Sequence, residues 1–204
     1  MCQLDWVGAH RLVLMPNQIN LDAKNYLGKW TLIVGEVNTG KTTLTEFLFN
    51  RIHRQVSSSR LAVIDLAPVV PEEITARLGL SGIGGRLNLP EVEKVLYLTS
   101  HIDPPRLSTN TEDAALAVAG RNRTKIEKLL QIFSTSERDV LFVNDISLYL
   151  HAGSSKNLIR YFNRVDTLVA NGYCGKKLGK GTLSQREHQE MRALMASFSH
   201  VIQT

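Results

Sequence analysis

Three observations predict an α/β fold built on a mostly parallel sheet with helices on both faces. Short apolar runs alternate with helix-length segments along the whole chain. The runs are rich in Val, Leu and Ile with little polar alternation, the pattern of strands buried on both faces. A glycine-bounded loop, Gly35-Glu36-Val37-Asn38-Thr39-Gly40-Lys41-Thr42, joins one such run to a helix. Alternation of this kind favours a parallel sheet, because each connection must cross back over a face.

Taken in order, residues 1–30 read as an N-terminal strand pair or arm, and 31–204 as a single domain. TLIVG (31–35) is a strand, and TTLTEFLFNRIHRQV (42–56) is the helix after the loop. RLAVIDL (60–66) and KVLYLTS (94–100) are the next strands. Between them, four glycines fall within positions 79–85, which predicts a mobile substrate loop hinged at Gly82, Gly84 and Gly85. A helix over 111–133, the strand DVLFVND (139–145) and a helix over 155–165 follow. The strand DTLVANG (166–172), a helix over 184–198 and the strand HVIQT (200–204) complete the order. The last helix opens with Ser184 and, three residues on, Glu187, the spacing of a capping box. No internal repeat, low-complexity tract or linker interrupts the pattern.

Composition narrows the class. At 204 residues the chain suits one well-buried domain, and 43% hydrophobic with 21% charged residues is ordinary for a globular protein. No apolar run approaches the roughly 20 residues of a membrane helix, and the first residues lack the order of a signal peptide. Cys2 and Cys174 form neither a disulfide framework nor a metal-ligand spacing, so a cytoplasmic setting without membrane contact is expected. The net charge of +5 is compatible with nucleic acid and equally with a phosphate-rich ligand. Basic residues gather at 121–128 and 174–181, in neither case with aromatics interleaved for base stacking.

The loop carries the chemistry. Residues 35–42 fit G-x-x-x-x-G-K-[ST], the phosphate-binding P-loop, in the strand–loop–helix context that motif requires. Its residues, Gly35, Glu36, Val37, Asn38, Thr39, Gly40, Lys41, Thr42 and Thr43, are expected to hold ATP or GTP. Glycines let backbone N–H groups wrap phosphate oxygens, and the following helix adds its positive end. Lys41 is expected to reach the β- and γ-phosphates, Thr42 to bind Mg²⁺, and Thr43 to donate to the α-phosphate. The fold expected is therefore the three-layer P-loop NTPase fold.

Such a loop also needs an acid on a neighbouring strand for the magnesium shell. Asp145, closing VLFVND, is expected in that role, and Asp65, closing LAVID, is expected to activate an acceptor hydroxyl. A third strand end brings Ser100, His101, Asp103 and Arg106 to the same side, with Arg106 expected to stabilise phosphate charge during transfer. The stretch ANGYCGKKLGKG (170–181) follows a strand on that side, which fits a lid with Lys176 or Lys177 supplying charge. NRVD (163–166) matches the lettering of a guanine-reading motif but precedes its strand, so it is read as coincidence.

With VIDLAP (63–68), YLTSHIDPP (97–105) and LFVNDIS (141–147) in this order after the P-loop, the chain resembles the Clp1/Grc3-type polynucleotide 5′-hydroxyl kinases over about residues 30–172. That family carries a strand ending in DLDxGQ and a later one ending in V-N-T-x-G. Here Ala67-Pro68 and Asp145-Ile146-Ser147 stand instead. The resemblance implies phosphoryl transfer to a polynucleotide hydroxyl. The residues themselves lead to a Mg²⁺-dependent kinase with an unidentified phosphate acceptor, a small molecule or a polynucleotide. The alternative is a nucleotide-hydrolysing switch working through a macromolecular partner.

Overall fold

The computed structural model describes residues 12–14, 19–68, 70, 72–77, 85–90, 93–179 and 181–204. Seven strands form one sheet: β1 (Leu12–Leu14), β2 (Trp30–Gly35), β3 (Leu61–Asp65), β4 (Leu96–Thr99), β5 (Val140–Asn144), β6 (Thr167–Tyr173) and β7 (His200–Gln203). Their order is β1-β7-β2-β6-β5-β3-β4. Every pairing is parallel.

β2, β3, β5 and β6 are buried as expected, whereas the edge strand β4 is partly exposed. On β2, Leu32 and Val34 face one side of the sheet and Ile33 the other; on β5, Leu141 and Val143 oppose Val140 and Phe142. One face is covered by α3 (Glu112–Ser134), α4 (Ser147–Leu150), α5 (Ser155–Phe162) and α6 (Thr182–Met195). The other takes Leu48, Phe49 and Ile52 of α1 (Lys41–His53), with Ala23 and Tyr26 packed beside them. Residues 19–29 thus belong to the core layer. β1 lies at the sheet's edge against β7, with Val13 opposite Val201; among the described residues it has no partner strand within the N-terminal segment.

The helix starts follow local chemistry at α3 and α5. Thr111 accepts the Ala114 N–H at 3.3 Å, with Glu112 and Asp113 in the first turn where the helix dipole favours acids. Ser154 accepts the Asn157 N–H at 3.3 Å. At α6 the expected capping box does not form. The helix begins at Thr182 behind Gly181 with no side-chain cap, and Glu187 turns inward to meet Arg106 and His151. Two short helices, α2 (Glu72–Arg77) and α4, arise where no periodic pattern announced them. Of the predicted glycine loop, residues 79–84 lie outside the described residues, with Gly82 and Gly84 among them.

The strand order positions the site. The chain leaves β2, passes the places later filled by β6 and β5, and enters β3. It goes on to the edge strand β4, returns through β5 and β6, then crosses to β7 on the far side of β2. The loops after β2, β3, β4, β5 and β6 therefore open at one end of the sheet, about the point where the order reverses. Ligands bind at such points in open α/β sheets.

Candidate functional site

At that end lies a cleft of ≈ 370 Å³ with Val37 to Thr43 on one wall. Gly40 takes φ 82 and Asn38 φ 60, turning the loop so that α1 starts directly behind it. Gly40 caps α1 without a side-chain bond, so no cap competes for the first N–H groups of the helix. Gly35 is required by close approach: a Cβ there would lie 2.5 Å from Thr204 Oγ1. Thr39 Oγ1 donates to the Glu36 carbonyl at 2.9 Å and shares a 2.7 Å bond with Thr204 Oγ1. The Lys41 ammonium donates to the same carbonyl. Burial pulls the Lys41 pKa below the ordinary lysine value, against the attraction of Asp145 and Glu36.

Gly35 and Glu36 form the back of the loop and do not line the cleft. The Glu36 carboxylate accepts the Lys176 N–H at 2.5 Å, and Gly175 leaves it room, since a Cβ at 175 would fall 2.2 Å from its carboxyl carbon. Burial pushes the Glu36 pKa up, but hydrogen bonds from the Lys176 backbone and Tyr173 outweigh this and hold it low. The segment after β6 is thereby fastened to the P-loop. It presents Leu178 to the cleft beside Tyr173, the last residue of β6, and neither Lys176 nor Lys177.

Asp145 lines the same cleft as Thr42 of the P-loop and lies near enough to Lys41 for their charges to interact. Its strand is not the immediate neighbour of β2 that the sequence suggested: β6 intervenes, with Val143 opposite Ala170 and Gly35 opposite Tyr173. Asp145 takes φ 55, a left-handed conformation that Asp tolerates better than most residues. This turn ends β5 and starts α4. Its N–H donates to Asn171 Oδ1 at 2.9 Å, and Oδ1 accepts the Ser147 hydroxyl at 2.5 Å. Burial raises the Asp145 pKa; the Ser147 hydroxyl opposes the rise, and the nearby Glu187 adds to it.

Among the described residues no cluster of three or more His, Cys, Asp or Glu side chains forms a metal cage. Mg²⁺ is commonly held by one or two carboxylates together with ligand phosphates and water. Thr42 and Asp145 are the residues that would hold it.

Beyond Asp145 lies a cluster the sequence did not reveal. Glu187, 3% exposed, bonds to the Arg106 guanidinium through Oε2 and stands 3.3 Å from His151 Nε2 through Oε1. Burial pushes the Glu187 pKa up, but His151 and Arg106 more than offset it, so the carboxyl is held below its ordinary value. Arg106 also lies over the Tyr173 ring, 5.9 Å from its centroid. Arg106 Nε and His151 Nδ1 are buried at this wall without a hydrogen-bond partner. All three residues line the cleft, as the sequence predicted for Arg106 alone. In sequence Glu187 fits the capping-box position behind Ser184, which gave no sign that it turns into the cleft.

The strand-end loop 101–109 delivers Arg106. Asn122 of α3 donates to the Asp103 carbonyl at 2.7 Å, and Lys125 donates to the His101 carbonyl at 2.8 Å. Ser108 closes the turn on the Pro104 carbonyl at 2.8 Å. His101 itself points away: its side chain is 65% exposed, 3.0 Å from Asp103 Oδ1.

Asp65 is placed differently from expectation. It is fully buried and lies off the cleft lining. Oδ1 accepts the Ala67 N–H at 3.1 Å and Asn144 Nδ2 at 2.8 Å, while Oδ2 accepts the Leu87 N–H at 2.9 Å and the Tyr97 hydroxyl at 2.6 Å. A carboxylate with four donors holds loops together and has no lone pair left to activate a hydroxyl. Asn144 passes the network on: its Oδ1 accepts Asn171 Nδ2 at 2.8 Å, and Asn171 Nδ2 also reaches Thr45 Oγ1 at 2.8 Å. Thr45 in turn donates to the Lys41 carbonyl at 2.9 Å. A buried polar chain thus runs beneath the cleft from the P-loop helix through β6 and β5 to β3 and β4.

The three-layer parallel sheet and the P-loop at its switch point define a P-loop NTPase-type fold. No protein-family model matches the chain, and no curated protein sequence matches it, so neither comparison returns the polynucleotide kinases. Among solved structures, the flagellar accessory protein FlaH from Methanocaldococcus jannaschii aligns over 87% of this chain and 71% of its own at 14% identity, with a TM-score of 0.48. Among the described residues no helix is long and apolar enough to cross a membrane.

Proposed function

We propose that this chain binds a nucleoside triphosphate, ATP or GTP, with Mg²⁺ and hydrolyses it, acting as a nucleotide-dependent switch. The observation that carries the reading is the cleft: the P-loop, Asp145, Arg106 and Glu187 all line one space of ≈ 370 Å³. Lys41 and the α1 N-terminus supply positive potential for the phosphates. Thr42 and Asp145 would hold Mg²⁺, which when bound neutralises charge on the β- and γ-phosphates. Arg106, oriented by Glu187 and Tyr173, offers a further cation in the same cleft.

The kinase reading lacks its acceptor-activating group, since the Asp65 oxygens are fully engaged. It keeps one specific support: Pro68, Gly85 and the turn Pro104–Leu107 line the end of the cleft beyond the P-loop, where an acceptor would enter. The two readings separate in one assay. Protein with γ-labelled ATP or GTP should release labelled phosphate and leave no label on oligonucleotides or small molecules of a cell extract. Label transferred to an acceptor and lost in Lys41→Ala would replace the switch with the kinase.

A further inference from the structure

A second cavity lies on the α3–α6 side, separated from the cleft by the turn after α4 and by α6. It measures ≈ 440 Å³ and is lined by four basic side chains, Arg123, Lys156, Arg160 and Arg186, against one acid, Glu127. The acids nearby are already used. Glu127 takes Arg123 at 3.4 Å and the Tyr149 hydroxyl at 3.1 Å, and Glu190 takes both the Ser155 N–H and hydroxyl at 2.7 Å. Arg186 donates to the Ala152 and Gly153 carbonyls at 3.2 and 3.1 Å, which fixes it at the rim. Lys156 and Arg160, both exposed, have no ion-pair or hydrogen-bond partner among the described residues. They stand one turn apart on α5, about 6 Å along its axis.

The lining selects among anions. Its apolar part is limited to Ala152, Gly153 and the buried Tyr149, so an acidic peptide would find no pocket for a side chain. A phosphodiester backbone needs only cations and donors, which this groove offers from three helices. No aromatic face is open for stacking, so bases would go unread. We infer that this groove binds the phosphodiester backbone of nucleic acid through charge alone, without sequence preference. The inference stands apart from the reading of the cleft, because the groove shares no lining residue with it.

The test is fluorescence anisotropy of a labelled mixed-sequence single-stranded DNA oligonucleotide, without added nucleotide, from 50 to 200 mM salt. Wild type should bind, and Lys156→Glu/Arg160→Glu should weaken binding at least about tenfold at low salt. Losing two phosphate contacts should also make the log–log salt slope shallower by about 1.4. A charge-matched control, Lys24→Glu/Arg51→Glu on the opposite face of the sheet, should stay within about twofold of wild type, which removes net charge as the cause. Circular dichroism should show both variants folded. The inference is overturned if wild type does not bind at 50 mM salt, if the groove variant binds as wild type does, or if the control loses as much. Complete displacement by inorganic tripolyphosphate at equal phosphate concentration would assign the groove to a compact anion and overturn the strand as its ligand.

Discussion

At Asp145 two unfavourable terms meet: a left-handed backbone and a carboxylate whose charged form is opposed by burial and by Glu187. On the proposed reading, a Mg²⁺ ion held by Asp145 would offset both. Asp145→Asn keeps a side chain that tolerates this backbone and removes the partly buried charge. It should raise the thermal midpoint of the nucleotide-free protein by a few degrees, about 1 kcal/mol, while raising the Mg²⁺ needed for nucleotide binding at least tenfold. A lower midpoint with unchanged Mg²⁺ demand would contradict that assignment. Glu187 behaves oppositely. Glu187→Ala leaves Arg106 without its counter-charge and His151 without its neighbour, and should cost about 3 kcal/mol in urea unfolding, with Glu187→Gln losing less. Equal stability of Glu187→Ala and wild type would show that the three residues do not act as a unit. Asp65 carries a different lesson: an Asp at a strand end reads the same in sequence whether it faces a ligand or gathers loop N–H groups.

Between elements, the polar chain Thr45–Asn171–Asn144–Asp65 ties the P-loop helix to strands on the far side of the sheet. Asn171→Leu leaves the Asp145 N–H and the Asn144 Oδ1 without a partner and should cost about 2–4 kcal/mol. Hydrogen exchange at residues 144–147 should quicken with it; unchanged exchange there would show the chain carries no load on that turn. At the opposite end of the sheet, Arg60 forks onto Asp139, bonding Oδ1 at 2.9 Å through Nε, which joins the starts of β3 and β5. The Arg60 hydrogen bonds, opposed by burial, hold the Asp139 pKa below the ordinary aspartate value. Its stabilisation is therefore present above about pH 4 and lost as pH falls through the lowered folded value. Arg60→Gln should flatten that acid limb of the stability profile. The change should stay below about 1 kcal/mol, because the pair is partly exposed. An unchanged limb would contradict the pairing. The strands were legible because continuous apolar runs between polar turns leave few alternatives. α4 was not, since four residues carry no helical period, and its start depends on the backbone at Asp145.

For the whole molecule, the P-loop could be read from eight consecutive residues because its function is local. Asp145 and Arg106 could be picked out at strand ends, but the partners that hold them could not. Arg106 and Glu187 are 81 positions apart, and Asn171 meets Thr45 across 126, pairings that exist only once the crossovers are known. The same holds for the strand order, which places β6 between β2 and the strand of Asp145. The account rests on the claim that this assembled cleft holds a Mg²⁺-nucleoside triphosphate, and titration calorimetry tests it most directly. MgATP or MgGTP should bind wild type one to one, and Lys41→Ala should lose at least about 100-fold in affinity, near 2.8 kcal/mol, with its unfolding midpoint kept. Absence of binding by both nucleotides in folded wild type, or equal affinity in Lys41→Ala, would contradict the account.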